Sequence, residues 1–516
     1  MHSIVKIFIG SLLFFFIDTG IVCGQLQILL SDPEAVMNPV NYPHFAYFPD
    51  GHISVLPDED GYIMFWAEFE SHRSIGTSQF VEDQTSLEPA NAVFGRRGNF
   101  DTYDNGGSWL MSVFRIEGDS LIGFFHAEDH WYPHTSNNIA WKSLGVTYSG
   151  DEGKTWSEGN QIITSPKEKP ETPEWGGSGD CCVIWDHINN RWICYYQEHN
   201  IYMAVSEDPK GVPGSWKKYY NGAFEEPGLG GQQTKVPGLI PGANPSVHWN
   251  TYLEKWVMVW HGWSPAQIYL SVSEDAINWE TPQSIIVSTI SGRAWYPTII
   301  GITDVEAGQI AKIYYADIAS DFSFRNFETR TITFIDEQNN EPAIARIDAP
   351  ADGSTINDIG FIIKTSADNL KAGVNEVEFY VNDILVGTDD TYPFELEWIA
   401  EESGEYKIQT FIIDNNNDRI ASDIVNITLN YTVGIKKLSR NSDLAWITTV
   451  VENTLTVNMQ AGNKQLSIYD LLSNKVFSKE LVNEHTEIDV SGLSPGLYFL
   501  LIKNDRSFQT LKFIKR

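Results

Sequence analysis

The sequence predicts an all-β protein: a five-bladed β-propeller followed by two smaller β-sandwich modules. Three observations carry that reading. A turn pattern recurs along the first part of the chain, and a strand–hairpin–strand unit repeats without a gap at a spacing of 64 residues. Beyond residue 342 the repeats give way to short strands that alternate apolar and polar residues. At 516 residues the chain is too long for one core. Domain-size arguments favour about three domains.

Residues 1–24 read as a secretory signal. Lys6 precedes an apolar run over residues 7–17, and small residues follow at 20–24. The run is too short to span a membrane comfortably, and no other long apolar stretch exists, so no transmembrane segment is expected after export. Cys23 lacks the small preceding residue expected of a lipidated cysteine. The net charge of −33 repels phosphate backbones and anionic lipid, which argues against nucleic acid or a bare membrane as partner. Past the signal stand Cys181, Cys182 and Cys194. An odd count without a CxxC argues against a disulfide framework or a zinc site. Cys182 lies opposite Cys194 if their hairpin turns near residues 187–189, which leaves a disulfide open. Buried thiols filling a blade are the plainer reading.

The repeats define the propeller. Thr102, Asp104, Gly106, Ser108 and Trp109 share a spacing with Ser149, Asp151, Gly153, Thr155 and Trp156. Ser206, Asp208 and Trp216, then Ser273, Asp275 and Trp279, are degenerate copies. In such a turn Asp takes backbone donors, Gly supplies positive φ, and Trp packs beneath. The pattern resembles the Asp-box of sialidases and other propellers. It is a structural motif, so these aspartates are not read as catalytic. The blade itself shows in residues 180–206, which realign on residues 244–273. Similar layouts begin near Gly51, Trp109 and Tyr296. Five units between residues 43 and 336 make a five-bladed propeller, with a sixth blade in 26–50 or 80–100 as the alternative.

Residues 343–432 alternate as a β-sandwich does and resemble bacterial Ig-like modules appended to secreted polysaccharide-degrading enzymes; the resemblance implies a spacer or a weak carbohydrate binder, and a spacer is the expectation. Residues 433–516, with Leu466, Ile468, Leu497, Tyr498 and Phe499, resemble the C-terminal sorting domain of the type IX secretion system. Ser473 stands where that family usually has Gly. This resemblance implies the type IX machinery as a partner and a secreted or cell-surface location. The propeller is then residues 25–342.

Neighbouring blade strands run antiparallel, so first-strand starts and second-strand ends share one rim. First-strand starts offer Asp50, His52, Asp180, Asn244, Arg293 and Tyr296. Second-strand ends offer Glu68, Glu70, His126, Glu128, Asp129, His130, Gln197, Glu198, His199, His261, Trp263 and Asp317, and loops add His72 and Arg73. A rim facing bulk water has no need of so many acids, imidazoles and tryptophans. Paired carboxylates, one protonated and one ionised, are the minimum for glycoside hydrolysis. The catalytic candidates are Asp180, Glu128, Asp50 and Glu198. Arg73, His126, His130, Asn244, His261, Trp263, Arg293 and Tyr296 are the candidates to hold substrate.

The arrangement resembles the five-bladed propeller glycosidases, the arabinanases and β-xylosidases among them. The resemblance implies Asp50 as base, Asp180 as pKa-tuning residue or acid, and Glu128 or Glu198 as acid. It departs at blades two and four, which begin with Gly107 and Asn244 rather than with acids. The function expected is a secreted glycoside hydrolase acting on a plant or algal polysaccharide or its oligosaccharides. A polysaccharide lyase using rim His or Tyr with Arg on a uronate polymer is the runner-up, and a non-catalytic glycan-binding protein is the third reading. No cofactor is required by the sequence, and a structural Ca2+ in the central channel stays open.

Overall fold

The computed structural model describes residues 26–36, 50–59, 61–96, 101–132, 139–321, 325–336, 339, 341–400, 402–430, 445–447, 450–459, 464–470, 475–481, 485–503 and 508–516. The signal at 1–24 lies outside them. Among the described residues no helix is long and apolar enough to cross a membrane.

The first part of the chain forms five sheets. Blade one runs Ser54–Asp58, Gly61–Ala67, Ser71–Gly76 and Gln84–Leu87. Blade two runs Gly107–Glu117, Ser120–Asp129, Trp141–Ser149 and Asn160–Thr164. Blade three opens with Gly179–Asp186, Arg191–Glu198 and Asn200–Ser206. Blade four opens with Gly242–Asn250, Lys255–Gly262 and Ile268–Ser273. Blade five is Arg293–Ile300, Ile310–Ile318 and Arg325–Ile335. Its outer strand is Gln27–Leu30, with Gln27 opposite Ile335 and Leu30 opposite Ile332. The segments considered for a sixth blade are thus spent elsewhere: 27–30 completes blade five and 84–87 is the edge of blade one.

Each blade is buried on both faces, which is why its strands read as nearly continuous apolar runs. In blade three, Cys181, Val183, Cys194 and Tyr196 pack toward blade two, while Cys182, Ile184, Ile193 and Tyr195 pack toward blade four. Further apolar clusters join blades one and two, four and five, and five and one, so the packing runs around a ring. All three described cysteines are free. Cys182 pairs with Tyr195 and Cys194 with Val183, so the two thiols face opposite sides of the sheet and the open disulfide is not formed.

A hydrogen-bond stitch repeats around the ring. Val113 N–H donates to Ser54 Oγ (3.0 Å), and Val183 N–H to Ser112 Oγ (2.9 Å). Val247 N–H donates to Cys182 Sγ (3.4 Å), and Ile53 N–H to Thr298 Oγ1 (3.3 Å). Four of the five inner strands thus offer one small polar side chain to the backbone of the next blade. Ser246 holds the corresponding place in blade four, but its Oγ has no hydrogen-bond partner among the described residues.

Turns behave as their chemistry dictates. Asp151 accepts from Thr155 N–H (2.9 Å) and Thr155 Oγ1 (2.7 Å), with Trp156 packed edge-on against Phe65. Asp275 accepts from Ile277 and Asn278 N–H (2.9 and 2.8 Å) above the buried Trp279. The segment with Asp104 and Trp109 is placed differently. It leads into the inner strand of blade two, at the opposite end of the blade from those turns, and Trp109 Nε1 donates to the Glu68 carbonyl (2.9 Å).

Residues 344–429 form a sandwich of a three-stranded and a six-stranded sheet. It is docked on blades five and one rather than held off as a spacer. Gln309 Nε2 donates to Leu370 O (2.8 Å), Leu370 N–H donates to Gln309 Oε1 (3.0 Å), and Tyr392 meets Phe80 edge-on at 5.7 Å. A second sandwich follows, its core built on Leu455, Val457, Leu466, Ile468, Leu500, Ile502 and Phe513.

Candidate active site

The inner strands of blades three, four and five begin with a β-bulge. Register slips between Gly179 and Cys181, between Ala243 and Ser246, and between Trp295 and Thr298. The bulged residues Asp180, Asn244 and Tyr296 have φ of 36°, 52° and 51°. A left-handed conformation is costly for these side chains, and a bulge re-aims the residue it carries. Pro245 and Pro297 follow two of them, where the slipped register needs no N–H. All three bulged residues line one depression at the channel mouth with Gly51, His52 and Met111. Gly51 allows that approach, since a Cβ there would lie 2.7 Å from the Met111 sulfur.

Second strands complete the mouth. Two residues beyond the register partners of Ser112, Cys182 and Ser246 stand His126, Gln197 and His261. Alanine takes that place in blades one and five, as Ala67 and Ala316. On that side gather Asp50, Tyr296 and Arg325.

Asp50 lies deep in the mouth, yet its side chain is still 36% exposed. Arg325 Nη1 is 3.7 Å from its Oδ1, and the Tyr296 hydroxyl donates to it. Burial pushes its carboxyl up to about 6, and the charges of Asp180 and Glu128 add to the rise. Arg325 and Tyr296 offset only part of this.

Glu128 has the opposite environment. Burial would raise it, but His126 and His130, first of all by hydrogen bond, outweigh burial and hold it down at about 2. His130 Nε2 is 3.0 Å from Oε2 and His126 Nε2 is 3.6 Å from Oε1. The Asp180 N–H donates to His126 Nδ1 (2.8 Å), which fixes the imidazole proton on Nε2, facing Glu128. Asp180 itself sits 3.6 Å from His126 Nδ1 and 4.0 Å from Lys142 Nζ. In the orientation that satisfies both neighbours, the Gln197 amide donates to Asp180 Oδ2 (2.8 Å) and accepts from Lys142 Nζ (3.0 Å).

Asp50, Glu128 and Asp180 are therefore brought together, and so are His126, His130, Asn244 and Tyr296. His261 stacks on Trp295 at 5.0 Å and donates from Nδ1 to Ala294 O (2.8 Å); burial lowers it to about 4, so it is neutral. Trp295 Nε1 donates to Asn244 Oδ1, and the Arg293 guanidinium lies over the Trp295 ring. Trp263 is partly exposed, its Nε1 donating to His199 O (3.0 Å).

Two expected residues lie elsewhere. Glu198 is the next residue after Gln197 and faces the other side of its strand. There Ser165 (2.7 Å), Ser178 (3.0 Å) and Gln233 (2.9 Å) donate to its carboxylate. Arg73 is buried and donates to the carbonyls of Glu152 (2.8 Å) and Glu88 (2.7 Å), which ties loops together away from the mouth.

Arg325 and Lys142 were missed because they open third strands, which start on the same rim where second strands end. Reading those starts as well would have found them. Among the described residues no three His, Cys, Asp or Glu side chains converge on a metal position, and Ser54, Ser112 and Thr298 are engaged in the stitch.

Comparison with known proteins adds the following. Residues 344–409 match the family model of bacterial Ig domains, and residues 451–516 match that of secretion system C-terminal sorting domains. No curated protein matches the chain. Solved structures similar to it include a family 117 glycoside hydrolase from the marine bacterium Zobellia galactanivorans, at 10% identity and TM-score 0.39, covering 60% of this chain and 90% of that one. A glycosyl hydrolase from Bacteroides ovatus gives 11% identity and TM-score 0.31, covering 65% and 90%. Fibronectin(III)-like modules of Clostridium thermocellum CbhA give 22% identity and TM-score 0.17, covering 18% and 100%. In this chain a ring of five β-sheets is thus followed by an Ig-like module and a secretion system C-terminal sorting domain.

Proposed function

We propose that the chain is an exported glycoside hydrolase whose active site is the mouth of the ring. The observation that carries this reading is the meeting of Asp50 and Glu128 beside Asp180, with their proton affinities driven apart to about 6 and about 2. Carboxyl groups so separated mark distinct acid–base roles. Asp50 is the base: a carboxylate of raised proton affinity, still wetted, takes a proton from water better than an ordinary one. Glu128 stays ionised between its histidines and holds in place His126, and through it Asp180, the remaining carboxyl at the mouth and the one that would hand the leaving oxygen its proton. Exposed Phe69, Trp175 and Trp263 supply faces for sugar rings. The sorting domain supports export.

A lyase would need a group near the mouth to surrender its proton readily. Burial and the charges of Asp50 and Asp180 push the Tyr296 phenol well up, so it keeps its proton. That removes Tyr296 as the base of a lyase and leaves the role to the rim histidines, which the following experiment tests. The test is incubation of the full chain with neutral and uronate-containing polysaccharides, following reducing ends and the ultraviolet absorbance of an unsaturated uronate together. Reducing ends alone support the reading. Both signals rising together mean β-elimination, and neither means a binding protein.

A further inference from the structure

Glu68 occupies in blade one the place that Glu198 occupies in blade three. Each lies three residues beyond the register partner of its stitch residue, Phe65 opposite Ser54 and Tyr195 opposite Cys182. Glu198 is satisfied by three donors. Glu68 is buried, only 1% exposed, and neither carboxylate oxygen has a well-formed hydrogen-bond partner among the described residues, the Phe69 N–H opposing the cost of burial only in part. Leaving an ionised carboxylate so placed costs free energy, whereas a protonated one is tolerated. Trp109 pins its carbonyl from blade two. The charged groups facing its side chain are Asp50, at the start of blade one, and Arg325, at the start of the third strand of blade five.

We propose that Glu68 is a positioning residue of this site: it keeps its proton in the working state, so that it does not compete with Asp50 for Arg325. The inference rests on the hydrolase reading, with Asp50 as base. Burial first, and then the charge of Asp50, push the Glu68 carboxyl up to about 7. As pH climbs through that value a second anion forms beside Asp50. Arg325, 3.7 Å from Asp50, is then contested, and the geometry at the mouth degrades. Glu68 would thus supply the alkaline limb of the pH profile without touching substrate.

Glu68→Gln, a neutral isostere, tests this in the full chain on whichever polysaccharide yields reducing ends. At about pH 6 its kcat and KM should stay within about threefold of the parent, and the alkaline limb should move up by about one pH unit or vanish. An unchanged alkaline limb overturns the proposal. So does a loss of about 100-fold in kcat at pH 6, since that marks a proton donor acting on substrate. Infrared difference spectra on 13C-glutamate-labelled protein give a readout independent of turnover. A protonated carboxyl band that titrates near neutrality and is absent in Glu68→Gln supports the proposal, and its absence from the parent overturns it. Should the parent release no reducing ends, the hydrolase reading fails and the positioning role fails with it. The infrared band then still reports whether Glu68 holds its proton.

Discussion

Cys182 receives the backbone N–H of Val247 at 3.4 Å, doing for blades three and four what Ser112 does for blades two and three at 2.9 Å. The thiol is a serine stand-in, not half of a disulfide. Cys182→Ser should therefore fold normally, with unfolding free energy within about 1 kcal/mol of the parent. Ser112→Ala should cost about 1–3 kcal/mol, because it leaves the buried Val183 N–H unmet. Urea unfolding of the two variants checks the contrast. Equal losses would mean that the stitch contributes nothing.

Asp304 gives a pH-dependent prediction. Its Oδ1 accepts from Val55 N–H (2.7 Å), and its Oδ2 has no hydrogen-bond partner among the described residues. Burial raises its carboxyl to about 7. His52 lies 3.8 Å away, but burial lowers that imidazole to about 4, so it is neutral where Asp304 ionises and no charge pair forms. A raised folded-state pKa contributes stability that is complete below the ordinary carboxylate range and lost as pH rises through about 7. Asp304→Asn should thus raise the unfolding free energy at about pH 8 by roughly 1–3 kcal/mol and give no gain near pH 4, as urea unfolding at the two pH values would show. A gain of equal size at both pH values would refute the assignment.

Asp50 governs the acid limb of activity. The base must be ionised, so kcat/KM should fall as pH drops through about 6. Asp50→Asn should lower turnover by about 10²–10⁴-fold with its melting temperature kept. Steady-state kinetics on the polysaccharide that yields reducing ends measures both effects. Full activity in Asp50→Asn would remove it from the mechanism.

The Ig-like module should behave as part of the ring's stability. Gln309→Ala deletes the two hydrogen bonds to the Leu370 backbone and leaves both of its polar groups unmet. A destabilisation of about 1–3 kcal/mol is expected. Thermal unfolding monitored by tryptophan fluorescence, which reports mainly on the ring, should register it. No shift would mean that the module rides on the ring without supporting it.

The ring was largely legible in the sequence, because its repeat has a physical cause. The spacing of 64 that aligns Cys182 with Ser246 is the spacing of the inter-blade position itself. The outer strand of blade five was not legible, since Gln27–Leu30 has no repeat beside it and its partner lies some 300 residues away. At the site, strand polarity put Asp50, Glu128 and Asp180 on one rim. Polarity does not say which face a side chain takes, so Glu198 was grouped with them although Gln197, one residue earlier, is the one that reaches Asp180. Glu68 stood among the rim acids with nothing in its neighbours to show that it lacks well-formed hydrogen-bond partners. Arg325 was hidden because only first-strand starts and second-strand ends were taken as rim positions, whereas Arg325 opens the third strand of blade five. The pattern at Asp104 shows the reverse hazard, in which one turn sequence serves two places in a blade.

The pairing of Gln27–Leu30 with Arg325–Ile335 also bears on the order of events in making the protein. Gln27–Leu30, the earliest of the described strands in the chain, waits for the last strand of its sheet, so the blades between are assembled while the circle is still open. Long-range closure of this kind is slow, and it leaves strand edges uncovered meanwhile. For a chain bound for export, that delay has a use: until the final blade has emerged, the polypeptide has no locked ring to unthread.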